Sequence, residues 1–328
     1  MTKLPRPDMI KIAILRMDQT IMNREGIDKL LTTMMPTEDE KNKITEAQMA
    51  NPELILGDAE SFLLTLSTIT ALEARLKLWA FRLDHEQMEK EIAEPLMDLK
   101  QATIELEKND TFKLILGTLR SIGSFLNGTE TKGFQLEYLS KVSEIKDTVH
   151  KHSLMHHICH IIIEKFPDTS DLYSEIGAVV RASKVDYDEL GKNLVKMEQD
   201  CKASWEHLKV ISKHDGASQM KVRMSEFLAE CAERIILLGV IQRRVINRFK
   251  KFLAFLGMPS SVIKETKPNV LLKIISEFAL EYRTTRERVK EQIEKKANHR
   301  ERNKTRGKMI PEVSIIFFLI SILFTLIF

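Results

Sequence analysis

Glycine and proline are both scarce in this sequence, with 12 and 9 of them among 328 residues. Antiparallel sandwiches and barrels need frequent tight turns, which rely on these two residue types. The shortage therefore argues against both architectures. Leu, Ile, Lys, Glu and Met recur instead, and an apolar content of 43% is enough to bury a core. We predict an all-α fold.

Cysteine is rarer still, and Cys159, Cys201 and Cys231 lie far apart with no Cys-x-x-Cys pair. This pattern argues against a disulfide framework and against a zinc finger. Residues 1–16 hold charges and prolines but no apolar stretch of the length that a secretory signal needs. We therefore expect a reducing, cytoplasmic location.

Aromatic residues make up only 6% of the chain, and their spacing is that of helix core positions. Stacking platforms for nucleic acid are therefore not indicated. No glycine-rich loop runs into Lys-Ser or Lys-Thr, and the glycines of residues 128–133 have the wrong spacing for cradling a phosphate. We expect no cofactor, no nucleic-acid partner and no enzymatic activity.

The best candidate for catalysis is a histidine cluster, in which His152, His156 and His160 share one helical face beside His157. Three imidazoles at this spacing have the geometry to hold a metal. However, no carboxylate lies at the offset of a metalloprotease motif, and Ile158, with the apolar residues around it, indicates a helix packed by its apolar face. We favour a structural cluster and predict no metal and no catalytic residue; a zinc site is the alternative.

Charge is concentrated near the end of the chain, where residues 281–310 hold eleven Lys or Arg against five Glu. This segment is predicted to be a basic C-terminal helix or tail. Residues 311–328 follow as a hydrophobic tail of uncertain origin, and its uncharged run is shorter than the roughly 20 residues of a spanning helix. The tail is an atypical end unrelated to the domain, a membrane anchor or a self-associating segment.

Apolar residues at three- and four-residue spacing predict a succession of helices. Two short helices are expected within residues 9–35, punctuated by Gly26 and Pro36, and a capping box at Thr37 and Glu40 opens the next. Further helices are predicted over residues 58–83, 86–109 with Pro95 as a break or start, 111–126, 148–165, 168–183 and 269–296. Residues 127–133 are predicted to be a loop.

Two nearly heptad stripes, over residues 190–211 and 224–256, predict a pair of long antiparallel helices. A turn at residues 214–216 would join them into a coiled-coil-like hairpin.

One segment, residues 121–147, carries a specific motif. It contains Ser-Ile-Gly-Ser-Phe-Leu-Asn-Gly, followed by Lys-Gly-Phe-Gln-Leu-Glu-Tyr-Leu-Ser-Lys-Val-Ser-Glu-Ile-Lys-Asp. This resembles the signature of the formin homology-2 domain. The motifs at residues 79–81, 170–173, 201–205, 278–283 and 298–308 look like the FHOD branch of formins. The resemblance covers about residues 4–310.

The resemblance implies an elongated helical domain with a knob, a three-helix bundle, a coiled-coil region and a post. Such domains bind the barbed ends of actin filaments, support nucleation and elongation, and act in the actin cytoskeleton. Intact relatives form a head-to-tail homodimer in which a lasso wraps the partner's post. Residues 1–310 would be a partial copy, because the lasso, the linker and the first part of the knob have no counterpart here.

Site residues follow from the same resemblance. A post surface that receives the partner's lasso is implied at Gly123, Phe125, Leu126, Asn127, Gly128, Gly133 and Phe134. The alternative is an ordinary helix–loop–helix corner. The actin-contacting lysine of the signature falls on Lys146, with Lys141 as a weaker companion; a solvated cation is the alternative there.

Ser124 departs from the family, which usually has asparagine at this position, so a side-chain hydrogen bond at the post is expected to be altered or lost. A different class of function is a helical membrane-associated scaffold. Residues 283–308 would then meet anionic headgroups while residues 313–328 insert.

Overall fold

The structure is a computed structural model that describes residues 6–51, 56–215 and 219–305, with side chains as far as residue 302. The described residues form α-helices and two short 3-10 helices, and they contain no β-strand. The predicted all-α fold is confirmed.

Twelve α-helices are described. They are α1 Pro7–Arg16, α2 Arg24–Thr33, α3 Glu38–Ala50, α4 Asp58–Ser67, α5 Leu72–Lys108, α6 Asp110–Asn127, α7 Leu154–Lys165, α8 Gly177–Ala182, α9 Tyr187–Asp215, α10 Gln219–Phe255, α11 Ser260–Glu265 and α12 Pro268–Thr305. The 3-10 helices are Leu136–Lys141 and Tyr173–Glu175.

The chain divides into two compact units. The first unit is formed by the described residues within 1–94 and 188–242, and the second by the described residues within 95–187 and 243–328. Within the first unit, α4 packs against α1 and α3, while Ile10, Leu66 and Trp79 are fully buried in its core. Within the second unit, α12 packs against α7, α8 and both 3-10 helices.

The capping box before α3 is confirmed. The Thr37 side chain accepts a hydrogen bond from the Glu40 amide, and the Glu40 carboxylate accepts one from the Thr37 amide at 3.0 Å. These two bonds satisfy donors that the helix start leaves unpaired.

The single helix predicted over residues 58–83 is wrong, because α4 ends at Ser67 and α5 begins at Leu72. Ala71 between them has a left-handed backbone with φ of 53°. The Arg75 side chain, which is buried, donates to the Thr70 carbonyl at 2.9 Å and holds this turn in place. Apolar periodicity continues across the break, so the pattern alone does not reveal it.

Pro95 was predicted to break or start a helix, and this is also wrong. It lies inside α5, which is continuous from Leu72 to Lys108. An internal proline costs a helix about 3 kcal/mol through its missing N–H and ring clash. The following turns bury Leu96, Leu99 and Ala102 completely, and this packing offsets the cost.

Two helix predictions in the second unit were too long. Helix α7 begins at Leu154 instead of residue 148, since residues 147–152 form a tight loop around the Asp147 carboxylate. Residues 168–183 form the 3-10 helix Tyr173–Glu175 and the short α8 instead of one helix. The last helix is confirmed, because α12 covers residues 269–296.

The long antiparallel pair is confirmed within the first unit, because residues further back along α9 contact residues further along α10. The Cys201 thiol lies 3.9 Å from the Leu228 carbonyl oxygen, and a Cβ at Gly191 would lie 3.1 Å from the Gln242 side chain. Arg75 and Asp215 form an ion pair near the end of α9. The predicted turn residue 216 lies outside the described residues.

The three cysteines are free thiols, and all of them are buried. Burial raises the pKa of Cys159 and of Cys231 to about 12, and it also raises the pKa of Cys201. These thiols pack as small apolar side chains within helical cores.

Candidate protein-binding site

Helix α6 forms the first side of the predicted corner. The Asn109 side chain caps its start by accepting from the Phe112 amide at 2.6 Å. Its inner face buries Phe112, Ile115 and Leu119. The helix ends where Gly128 adopts a left-handed backbone with φ of 63°, a conformation that glycine reaches without strain.

The loop after α6 folds back onto the last turns of that helix. The Ser124 hydroxyl donates to the Arg120 carbonyl and accepts from the Thr131 amide at 2.9 Å. The Arg120 side chain donates to the Thr131 carbonyl at 2.9 Å, and its guanidinium lies 3.3 Å from the Glu130 carboxylate. Ser124 therefore links the last turn of α6 to the loop through its side-chain hydroxyl.

The structure places most of the predicted post residues at the end of α6. Phe125 is 54% exposed and Asn127 is exposed, while Leu126 is half-buried. A Cβ at Gly123 would lie 3.9 Å from the Thr131 hydroxyl, so the loop approaches the helix closely there. A Cβ at Gly128 would meet no other atom within 4 Å.

Gly133 and Phe134 lie at the far end of the loop. A Cβ at Gly133 would also meet no atom within 4 Å. The Phe134 ring packs edge-on against Tyr138 with ring centroids 6.3 Å apart, and burial raises the pKa of Tyr138. The corner thus presents aromatic rings and open glycine backbone at its surface.

The 3-10 helix Leu136–Lys141 anchors the second side of the corner. Leu136, Leu139 and Val142 are buried beneath it. Ser143 is hydrogen bonded to Glu281 of α12, which fixes the segment to the rest of the second unit. Lys141 is exposed at the end of this helix.

Asp147 organises the following loop, and its side chain is almost fully buried. Its carboxylate accepts from the backbone amides of His150, Lys151 and His152 and lies 3.2 Å from the His157 ring. Desolvation alone would raise the pKa of Asp147, but the hydrogen bonds from the His150 and His152 amides and from the His157 ring outweigh it and lower the pKa to about 2. We call residues 145–154 the Asp147 clip.

Lys146 lies on the outside of the Asp147 clip. Its backbone bridges to Ser153, and the Leu154 amide donates to the Ile145 carbonyl at 2.7 Å, which closes the clip. Lys146 is exposed, whereas its neighbour Asp147 points inward. In the described part of the chain, neither Lys146 nor Lys141 forms an ion pair, so both ammonium groups face solvent.

The histidine cluster divides into two sets. His152 and His156 stack with ring centroids 4.1 Å apart, and His157 turns away to Asp147. Burial lowers the pKa of His156 to about 4, helped by the positive charge of the neighbouring histidines and Lys296. Across the described ranges, no group of three or more His, Cys, Asp or Glu has an arrangement that could hold a metal ion.

The contact between His157 and Asp147 is a site feature that the sequence did not predict. Ten residues separate the two, and no pairing rule connects them before the clip is formed.

None of the helices in the described ranges is both long enough and apolar enough for a membrane span. The hydrophobic tail and the end of the basic segment, residues 306–328, lie outside the described residues.

Comparison with known proteins agrees with the motif of residues 121–147. The chain is 62% identical over 312 residues to mouse FH1/FH2 domain-containing protein 3, which covers 95% of the chain and 20% of that relative. It is 50% identical to human FH1/FH2 domain-containing protein 1 over 95% of the chain and 27% of that relative. Protein diaphanous of Drosophila melanogaster is 25% identical over 88% of the chain and 27% of its own length.

The chain therefore spans between a fifth and about a quarter of the length of these relatives. The family profile of the Formin Homology 2 Domain matches residues 1–283, which is most of the chain. This chain belongs to the formin homology 2 domain family.

Proposed function

We propose that this chain is an actin-binding domain of the formin type, which associates with the barbed ends of actin filaments and takes part in organising the actin cytoskeleton. The observation that carries the proposal is the match of residues 1–283 to the formin homology 2 domain. Nucleation and elongation of filaments are the activities proposed for the domain, at the cytoplasmic actin cytoskeleton. No covalent chemistry is part of this proposal.

Lys146 is proposed as the main actin contact, with Lys141 beside it in the sequence as a weaker one. Lys146 is exposed, and the Asp147 clip fixes its backbone through the bridge to Ser153. A fixed backbone lowers the ordering cost of placing a charge against a partner surface. Exposed charges of this kind mainly speed encounter and set the register of the complex.

The end of α6 is proposed as a post that receives a segment of another formin homology 2 chain. Exposed aromatic rings are common anchors at protein interfaces, and Phe125 is 54% exposed here. Open space beside Gly128 and Gly133 would let a second backbone come close. The proposed occupant is the lasso of a homodimer partner, as in intact relatives.

The test of the proposal is filament cosedimentation of a Lys146→Asp variant. The matched control is Lys184→Asp, which reverses another exposed lysine of the second unit. We expect Lys146→Asp to weaken actin binding roughly three- to tenfold at low salt, with unchanged helicity by circular dichroism. The control should bind as the parent does. Equal pelleting of all three proteins would remove Lys146 from the site, and no pelleting of the parent would refute actin binding.

A further inference from the structure

A basic cleft of about 820 Å³ lies in the second unit, along the last turns of α10. Arg244, Arg248, Lys250 and Lys251 line it, and the carboxylate of Glu107 near the end of α5 is its acidic member. All four cations are exposed. The lining therefore has a strong excess of positive charge. None of its residues belongs to the Asp147 clip or to the corner.

Three of these cations form a straight row. Arg244, Arg248 and Lys251 follow each other at four- and three-residue intervals, which places them on one face of α10. At 1.5 Å per residue, the row spans about 10 Å, with about 6 Å between the two arginines. Positive charge is thus spread along a line instead of converging on one point.

The internal ion pairing of the cleft is weak. Arg248 lies 3.9 Å from the Glu107 carboxylate, and both side chains are 45% exposed. In the ranges that the structure describes, Arg244, Lys250 and Lys251 have no carboxylate within ion-pair distance. An exposed pair at this distance contributes little stability, so a ligand carboxylate would have little to displace.

The geometry favours a chain of carboxylates over a phosphate. Many phosphate sites in proteins combine cationic side chains with the free backbone amides of a helix start or a nest. Apart from Glu107, the cleft residues lie in the last turns of α10, where backbone amides are bonded within the helix. An extended peptide, by contrast, places alternate side chains about 7 Å apart on one face, close to the spacing of the arginines. Asn247, beside the row, adds an amide that could pair with a peptide backbone.

We propose that this cleft binds an acidic segment of a partner polypeptide, with Asp or Glu at alternate positions along the row from Arg244 to Lys251. The guanidinium groups of Arg244 and Arg248 would each receive a carboxylate in bidentate fashion. The side chain of Phe252 and the methyl of Ala254 supply an apolar border for the stems of the acidic residues. Glu107 competes only weakly with the ligand for Arg248.

The test uses the full chain and a fluorescent peptide of alternating Glu and Ser, followed by fluorescence anisotropy at low salt. Reversing Arg244→Glu together with Arg248→Glu should weaken peptide binding roughly tenfold or more, because two attractions become two repulsions. Lys100→Glu reverses an exposed lysine of α5 in the same unit and should leave binding unchanged. Glu107→Gln should strengthen binding roughly twofold, because it removes the competing carboxylate.

The opposite changes in affinity keep the test independent of folding, since a damaged fold would not bind more tightly. Equal peptide binding by the parent and the double arginine variant would overturn the proposal. Binding of inorganic tripolyphosphate at the cleft without binding of the peptide would overturn it too, because it would make the cleft a phosphate site. Actin is absent from the assay, so its result does not depend on the proposed function.

Discussion

Replacing Asp147 by asparagine tests how the clip is held together. The carboxylate accepts hydrogen bonds from three backbone amides and contacts the His157 ring, while the side chain is only 3% exposed. Asparagine keeps the shape but has one acceptor oxygen, so its NH2 group would face an amide donor. We expect the substitution to destabilise the clip and thereby to lower the free energy of unfolding of the chain.

The magnitude follows from the pKa of Asp147, which the hydrogen bonds lower from an ordinary 3.8 to about 2 against the opposing desolvation. A shift of this size corresponds to about 2 kcal/mol of stability at neutral pH. The pKa of Asp147 is lower in the folded state than in the unfolded state. The contribution to stability is therefore complete when the pH is above the unfolded-state pKa, and it is lost as the pH falls through the folded-state pKa. By about pH 3, roughly half of it should have disappeared.

Urea unfolding followed by circular dichroism measures the difference between parent and Asp147→Asn at neutral pH and near pH 3. The control is Asp168→Asn, which changes an exposed carboxylate of the same unit. We expect a deficit of about 2 kcal/mol at neutral pH that shrinks by half in acid, with little change in the control. A deficit that is absent at neutral pH, or that does not change with pH, would refute the role assigned to the buried carboxylate.

Two further predictions concern the end of α6. Gly128→Ala should cost about 1 kcal/mol in the free energy of urea unfolding, since only backbone strain is at stake there, whereas Gly128→Asn should cost clearly less; equal costs would argue against strain. Phe125→Ala should weaken association with the complete formin homology 2 domain of the mouse relative by roughly tenfold or more in light scattering, while Phe166→Ala, another exposed ring, should not. Unchanged association in the Phe125 variant would exclude the post role.

The all-α fold and most helices were predictable because apolar spacing and caps are local signals. The capping box at Thr37 is an example, since both of its partners lie within four residues. The break at Ala71 was missed because the buried Arg75 that stabilises it does not interrupt the apolar pattern. The predicted break or start at Pro95 is wrong because burial of Leu96 and Leu99 outweighs the local penalty of an internal proline.

The candidate site was predictable only in part. The glycines and aromatic residues of residues 121–134 belong to a family motif, and this motif predicted the corner. The same motif predicted Lys146. The Asp147 clip was not predictable, because its stability comes from amides of residues 150–152 that a helix prediction had already assigned to α7. The basic cleft was not predictable either, because its cations are a few side chains on the long helix α10. The sequence pattern of that helix is dominated by the apolar stripe that packs against α9.

The buried thiols also bear on how the molecule can be labelled. With a pKa near 12, Cys159 and Cys231 carry almost no thiolate at neutral pH, and the Cys201 thiol is likewise enclosed. A maleimide dye offered to the native chain should therefore leave all three untouched. A single cysteine introduced at an exposed position of the corner would then be the one reactive handle, without any need to remove the natural ones.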